Sequence, residues 1–181
     1  RLENDPINLP RALVAALVQR SAGTPALRYT VREPRRAAGR PTLVMSHALG
    51  GDASTWDTLA NALAAEHRVV CYDHRGHGAS GGPRGAIPSS DALLEDLARV
   101  IDAVRAERPG RLVLLGHSMG GAVASRFVAE GLQARPAGWH RPVDALVLSS
   151  PALDLGLNAV QKLLMGLVAA LFLALSPFNI R

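Results

Sequence analysis

One serine in this chain stands in a pattern that suits nucleophilic chemistry. Ser118 lies in the stretch LLGHSMGG (114–121), where an apolar, strand-like run gives way to a helical pattern. A tight strand-to-helix turn forces such a serine into an unfavourable backbone conformation and exposes its hydroxyl, provided that small residues stand two positions before and after it. Gly116 and Gly120 meet that requirement. The pattern therefore predicts Ser118 as a nucleophile.

The helix predicted after this serine adds a second catalytic element. Its pattern begins at Met119, so its free N–H groups and the positive end of its dipole point to where negative charge would develop on an attacked carbonyl. A bare Gly-x-Ser-x-Gly also occurs in purely structural turns. The strand before it and the helix after it are what favour a nucleophile over a structural turn here.

A second loop is predicted to lie beside the serine. The stretch MSHALGGDASTW (45–56) follows another apolar strand and carries His47, Gly50 and Gly51. Open α/β sheets bind their ligands at the carboxyl edge, and both loops follow strands that would end at that edge. We therefore expect the two loops to form one site.

Short β-rich runs alternate with helical patterns along the chain. The run 26–33 is typical of an edge strand or hairpin arm, and buried strands are predicted at 41–47, 68–73, 111–117 and 143–150. Helices are predicted at 53–65, 91–107 and 119–130. In the first of them, Trp56, Leu59 and Leu63 mark the buried face. This alternation predicts an α/β fold, a mostly parallel sheet with helices on both faces.

The composition excludes several classes of protein. With 181 residues, 48% hydrophobic and 19% charged, the chain suits one globular domain. The net charge of +5 comes from scattered arginines and aromatic residues make up only 4%, so no nucleic-acid partner is expected. The single cysteine, Cys71, stands in an apolar run typical of the core.

The apolar stretch 12–18 is too short for a secretory signal, so a cytoplasmic location is expected, with or without membrane association.

Three motifs make the chain similar to a known superfamily. From about Leu27 to Asp154 it resembles the α/β-hydrolases, through HALGG (47–51), DHRGHGAS (73–80) and GHSMGG (116–121). In that family the oxyanion hole consists of the backbone N–H after the nucleophile and one from the loop after an earlier strand. The resemblance assigns these two donors to Met119 and Leu49. The family's usual His-Gly pair is His47-Ala48 here.

Within the superfamily, the segments 76–97 and 146–155 resemble bacterial monoacylglycerol lipases and lysophospholipases. That resemblance implies a carboxylic-ester hydrolase of lipid metabolism, which forms an acyl-enzyme on Ser118, acts on a small-molecule or lipid ester and needs no metal or organic cofactor. The stretch 47–60 also resembles enol-lactonases and cofactor-free haloperoxidases, an alternative within the same fold. The alternative of a different class is a non-catalytic fragment that keeps the serine turn as a relic.

The other two members of a catalytic triad have no matching positions in the sequence. The resembling enzymes carry Ser, then Asp or Glu, then the His base along the chain. Of the 6 histidines only His140 follows Ser118, and it precedes the strand after which the acid would come. Asp144 begins that strand at the wrong edge of the sheet, and Asp154 lies past the correct edge with no histidine after it. The chain alone is therefore expected to be inactive.

Other polar residues of the motifs are expected to have structural roles. Asp73, Arg75 and His77 are predicted to pin the DHRGHGAS loop through hydrogen bonds. The resemblance implies that His47 and His77 support loops, and His117, whose side chain should point away from its neighbour Ser118, is expected to have a core or loop role.

The chain is expected to divide into two parts. Residues 1–154 would be the N-terminal part of an α/β-hydrolase core, and 155–181 the start of a cap, with the last strands and most of the cap lacking. The apolar run Leu163 to Leu175 has 13 residues, whereas a membrane span needs about 20. It is predicted either to be buried against further chain or to form a cap helix that lines an acyl pocket and makes peripheral membrane contact. No particular oligomeric state is indicated.

Overall fold

A computed structural model of the chain describes residues 14–34, 39–154, 156, 158–161, 163–164 and 166–167. Within these residues the chain forms one six-stranded sheet flanked by helices. The strands are β1 (Val14–Ala22), β2 (Leu27–Pro34), β3 (Thr42–Ser46), β4 (Val69–Tyr72), β5 (Leu112–His117) and β6 (Ala145–Ser149). The helices are a 3₁₀ helix (Ala53–Trp56), α1 (Asp57–Leu63), α2 (Ala92–Glu107) and α3 (Met119–Glu130).

The sheet is mostly parallel, as predicted. Its strand order is β1-β2-β4-β3-β5-β6, with β3 to β6 parallel and β1 and β2 forming an antiparallel hairpin beside β4. The register places Ser46 in β3 level with Tyr72 in β4 and Gly116 in β5. The loops that follow these three strands therefore leave the sheet at one edge, where the predicted site lies.

The central strands of the sheet, β3 and β4, are covered on both faces. Successive side chains of a strand point to opposite faces. Val44 of β3 packs into a core with α2 and α3, and its neighbour Met45 packs into a second core with the 3₁₀ helix and α1. Cys71 lies in the second core, where burial raises the pKa of its thiol to about 12. The predictions of helices on both faces and of a core cysteine are thus confirmed.

α2 follows directly from its sequence pattern. Its apolar residues recur at helical spacing over 16 residues, and the chain turns away before Pro109 and Gly110. Four apolar residues of this face are buried: Leu94, Leu97, Ile101 and Val104. Leu93 is only partly buried beside the same core.

The helix predicted at 53–65 is divided into the 3₁₀ helix and α1, and its buried face differs from the predicted one. Trp56 is buried as predicted, but Leu59 is 41% exposed. The fully buried residues are Ala60 and Ala64, which follow Trp56 at intervals of four residues, so the buried face passes beside Leu59. The assignment of Leu59 to the buried face is therefore wrong.

The two edges of the described sheet also depart from the sequence prediction. The sequence pattern did not predict β1, yet this strand is present and pairs with β2 along its length. β6, predicted as a buried strand, is largely exposed, with Val147 at 47% and Leu148 at 39%. In the described part of the chain β6 pairs with β5 alone, so one side of it has no strand to cover it.

Much of the predicted cap, 155–181, lies outside the described residues, as does most of the apolar run Leu163 to Leu175. Residues 159–161, 163–164 and 166–167 are helical, and their leucines are more than half exposed. None of the helices described is both long and apolar enough to cross a bilayer.

Candidate active site

Ser118 occupies a strained turn between β5 and α3. Its φ is +52° and its ψ is −117°, a conformation that costs a non-glycine residue roughly 1–3 kcal/mol. Backbone hydrogen bonds hold it there: its N–H donates to the Ser149 carbonyl (3.1 Å), and its carbonyl accepts from the N–H groups of Ala122 (3.0 Å) and Ala152 (2.9 Å). The turn expected from the sequence is therefore present, fixed by α3 and by the end of β6.

The two glycines that flank the serine allow close backbone packing. A Cβ on Gly116 would lie 2.7 Å from the Gly120 carbonyl carbon, and a Cβ on Gly120 would lie 2.6 Å from the His47 carbonyl oxygen and closer still to that of Ser46. Real Cβ atoms do not approach backbone so closely. Glycine at 120 thus lets the start of α3 rest directly on the end of β3, which brings the two predicted loops together.

The loop after β3 is a tight turn. The Gly51 N–H donates to the Ala48 carbonyl (3.1 Å), and Gly50 takes a φ of +74°. The Leu49 side chain is 74% exposed, and the group of this residue that is predicted to act in the site is its backbone N–H. Met119 is the first residue of α3, and N–H groups in the first turn of a helix lack helical partners. The two predicted oxyanion donors thus lie at one edge of the sheet, Leu49 in the loop after β3 and Met119 in the first turn of α3.

Asp73, in the loop after β4, ties that loop to the one after β3. Its carboxylate accepts from the N–H of Ala53 (2.6 Å) and from the N–H of Ala79 (2.8 Å). Arg75 beside it forms a buried bidentate ion pair with Asp96 of α2 (2.5 and 2.6 Å). The predicted role of these residues in fixing the loop through hydrogen bonds is confirmed. No motif in the sequence indicates that Asp96 is the partner of Arg75.

Four histidines lie at or near the carboxyl edge; three of them hydrogen-bond to a neighbouring strand or loop, and His77 hydrogen-bonds within its own loop. His47 Nε2 accepts from the N–H of His74 (3.0 Å), and His74 Nε2 lies 3.0 Å from Ser46 Oγ. His77 Nδ1 contacts the Arg75 carbonyl (3.0 Å). His117 Nδ1 contacts the Ser149 carbonyl (2.9 Å). Within the described residues no histidine hydrogen-bonds to the Ser118 hydroxyl.

The remaining candidates for the relay are also engaged elsewhere. Asp144 accepts from the Leu112 N–H (2.7 Å) at the amino edge of the sheet, which is the wrong edge, as expected. The Asp154 carboxylate accepts from the N–H of Gly156 (2.9 Å) at an exposed position. His140 stacks near Phe127, with ring centroids 5.8 Å apart. The triad base and acid are therefore not assembled within the described part of the chain.

A cavity of about 760 Å³ lies beside the loop after β3 but is lined by neither Ser118 nor Met119. Its polar residues are engaged with one another: Arg32 pairs with Asp57, and Asp73 accepts the two backbone bonds given above. No group of three or more His, Cys, Asp or Glu among the described residues could share a metal ion. The candidate site is the Ser118 turn and not this cavity.

Burial of two of these histidines predicts a loss of stability in mild acid. Burial lowers the pKa of His74 well below its usual value, with His47 and His77 adding to the shift, and burial also lowers the pKa of His47. Below pH of about 6.5 the unfolded chain binds protons that the folded chain excludes, so the free energy of unfolding should fall as the pH drops. One excluded proton corresponds to a slope of at most about 1.4 kcal/mol per pH unit, and His74, whose pKa is lowered more strongly, should contribute the larger part.

Denaturant unfolding at pH 5.0 to 7.5 measures this slope. His74→Gln, which keeps a partner for Ser46 and does not titrate, should give a shallower slope than the unsubstituted chain. Equal slopes in both, or a flat profile in the unsubstituted chain, would contradict the prediction.

Comparison with known proteins places this geometry in a family. The family model for serine aminopeptidase, S33 (Hydrolase_4) matches residues 37–179. The chain is 30% identical over 139 residues to protein phosphatase methylesterase 1 of Mus musculus, covering 76% of this chain and 35% of that protein. The chain thus spans about a third of the length of the curated relatives it matches.

Two solved structures are similar as well. The enol-lactonase of Burkholderia xenovorans LB400 is 31% identical with a TM-score of 0.52, and the match covers 62% of this chain and 41% of that one. A soluble variant of monoglyceride lipase from Saccharomyces cerevisiae has a TM-score of 0.65 at 17% identity, covering 90% and 53%, and so shares the fold. Strand order, serine turn and family match agree that the chain belongs to the serine aminopeptidase S33 family of α/β-hydrolases.

Proposed function

We propose that this chain is the nucleophile-bearing part of a serine carboxylic-ester hydrolase that resembles monoacylglycerol lipases and lysophospholipases. The observation that carries the proposal is the backbone of Ser118, held at φ +52° between a strand and a helix. Strain of this kind persists only where the surroundings impose it, and such residues cluster at active sites. The strained turn around Ser118 is of the strand-to-helix kind that carries the nucleophile in family members.

In the proposed reaction the Ser118 oxygen attacks the ester carbonyl carbon, and its proton passes to a histidine base. The N–H groups of Met119 and Leu49 donate to the oxyanion of the tetrahedral intermediate. The C–O bond to the alcohol then breaks, the base returns the proton to the leaving alcohol, and water hydrolyses the acyl-enzyme. Preorganised backbone donors suit this role because they need no rearrangement as charge develops.

The base and the acid are proposed to come from chain outside these 181 residues. Near the carboxyl edge three of the six histidines hydrogen-bond to a neighbouring strand or loop and His77 hydrogen-bonds within its own loop, while His140 packs beside Phe127. His67 contacts the Pro41 carbonyl (3.1 Å), which lies before β3 at the opposite edge. The matched segments make up only 35% and 33% of two of the relatives, which are therefore longer than this chain and have length for both residues.

A lipid ester is the proposed substrate class. The helical residues after 158 expose Leu163, Leu164 and Leu167 at 55–64%. Leucines on one short helix suit contact with an acyl chain or with the interfacial region of a membrane. The fold shared with monoglyceride lipase is compatible with this choice, and peripheral membrane contact through 163–175 belongs to the same proposal.

Esters of increasing acyl length test the proposal on the longest polypeptide that the gene encodes. We expect p-nitrophenyl esters and monoacylglycerols to be hydrolysed, with kcat/KM rising from acetyl to longer acyl chains, and a fluorophosphonate probe to label Ser118. Each buried methylene contributes about 0.8 kcal/mol, so two to four additional carbons should raise kcat/KM at least tenfold. Labelling at another residue, or no ester turnover, would overturn the proposal.

An enol-lactonase is the second candidate, favoured by the 31% identity to the enzyme from Burkholderia xenovorans. Including an enol-lactone in the same panel separates the two. Turnover of the lactone with a flat response to acyl length would favour this candidate. A protein that neither hydrolyses any of these substrates nor reacts with the probe would instead be a non-catalytic scaffold.

A further inference from the structure

The imidazole of His47 joins the loops after β3 and β4. The ring is fully buried, its Nε2 accepts from the His74 N–H (3.0 Å), and its Nδ1 lies 2.7 Å from the carbonyl oxygen of Ala48. A backbone N–H can only donate, so Nε2 must be unprotonated. In the neutral ring the proton is therefore on Nδ1, which donates to the Ala48 carbonyl.

These bonds determine the orientation of one peptide plane. The Ala48 carbonyl accepts from His47 Nδ1 and from the N–H of Gly51 (3.1 Å). In a trans peptide the carbonyl and the following N–H point in opposite directions. Fixing the Ala48 oxygen towards the His47 ring therefore points the N–H of Leu49 away from it.

The peptide in question stands next to the serine turn. Glycine at 120 brings the start of α3 onto the carbonyl oxygens of Ser46 and His47, one residue before this peptide begins. A rotation of the peptide would leave Ser118 in place while removing one donor from the site. The orientation of the Ala48–Leu49 peptide therefore affects how well the oxyanion is stabilised and leaves the nucleophile unchanged.

We infer that His47 is a positioning residue, which holds the Ala48–Leu49 peptide so that the Leu49 N–H faces the oxyanion. The inference rests on the proposed function of Ser118. This role depends on the tautomer of His47. Only a ring with its proton on Nδ1 can both donate to the Ala48 carbonyl and accept from the His74 N–H.

The surroundings keep this ring neutral. Burial disfavours the charged ring, and His77, whose ring lies 5.4 Å away, adds to this effect. The hydrogen bond to the Ala48 carbonyl and the carboxylates of Asp73 and Asp52 act in the opposite direction, each more weakly than burial. The pKa of His47 is consequently lowered, chiefly by burial. A second proton on Nε2 would face the His74 N–H and break that bond.

Two substitutions separate the two hydrogen bonds. His47→Asn retains an amide donor close to the position of Nδ1, so it can still bond to Ala48. His47→Gln places its amide near the position of Nε2, so it can bond to His74 but not to Ala48. Loss of one oxyanion donor costs about 10²–10³ in kcat. We expect His47→Gln to lower kcat about 100-fold with little change in KM, and His47→Asn to stay within about tenfold of the unsubstituted enzyme.

His67→Gln serves as the control, because it removes a similar bond between a histidine and a backbone carbonyl at the opposite edge of the sheet. It should leave kcat unchanged. Circular dichroism and thermal unfolding show whether each variant is folded. Equal losses in the two His47 variants, or none in His47→Gln, overturn the inference while Ser118 dependence stands. Activity that survives Ser118→Ala overturns the proposed function itself, and the inference with it.

One measurement needs no variant. The ¹⁵N shifts of the His47 ring report its tautomer directly in the unsubstituted protein. We expect a protonated Nδ1 and an unprotonated Nε2 at neutral pH. The opposite tautomer overturns the inference even if both variants fail to fold.

Discussion

Replacing Ser118 by alanine is expected to reduce kcat for ester hydrolysis by on the order of 10⁶-fold in the longest polypeptide that the gene encodes. Without the hydroxyl no acyl-enzyme can form, and the oxyanion donors alone retain only a small part of the rate. KM should change little, since the substrate still meets the same loops. Steady-state assays with p-nitrophenyl esters, at concentrations that resolve kcat from KM, measure the effect.

Ser125→Ala is the matched control for this substitution. Ser125 lies in α3, seven residues after Ser118, and its hydroxyl donates to the Gly121 carbonyl (2.8 Å). The same change of side chain there should leave kcat within about twofold, because surface and helix hydroxyls away from a site contribute little. An active Ser118→Ala enzyme, or an equal loss in Ser125→Ala, would show that Ser118 is not the nucleophile.

The parallel strands and the turn at Ser118 could be predicted because the features that indicate them are local in the chain. The alternation of apolar runs with helical patterns predicts the parallel strands, and Gly116 and Gly120 predict the strained turn. Both depend on residues within a few positions of one another, so the sequence alone suffices. The register of β3, β4 and β5 then follows from the parallel pairing and brings their loops to one edge.

The errors arise where local pattern and tertiary context diverge. β6 is as apolar as a core strand, but its exposure depends on what packs beside it, which no window of its own sequence contains. Leu59, three residues after Trp56, has the spacing of an α-helical core residue, but the positions four and eight residues after Trp56 are the ones buried, at Ala60 and Ala64. β1 was missed because its apolar stretch shows no clear alternation on its own.

Contacts within the candidate site are also beyond the reach of local pattern. His47 and His74 are 27 positions apart, and Asp73 reaches Ala53 over 20 positions. Motifs indicate that such residues belong to the site, yet they do not indicate which atom bonds to which. The tautomer of His47, and with it the orientation of the Leu49 peptide, follows only from the structure.

Replacing Gly120 by alanine is expected to destabilise the fold by about 3 kcal/mol or more. Two effects of opposite sign compete at this position. In a helix interior, alanine is favoured over glycine by about 1 kcal/mol. Against this, the new Cβ would lie 2.5 Å from the Ser46 carbonyl carbon and 2.6 Å from the His47 carbonyl oxygen. Backbone atoms cannot rotate away as side chains do, so α3 must move off β3 and the steric cost prevails.

Gly138→Ala provides the comparison. A Cβ at this position has nothing within 4 Å, so alanine should change the free energy of unfolding by less than about 1 kcal/mol. Denaturant unfolding of both variants measures the difference. A Gly120→Ala chain as stable as Gly138→Ala would mean that α3 does not rest on the end of β3 as described. Ser118 and the Leu49 loop would then lack the contact that brings them together.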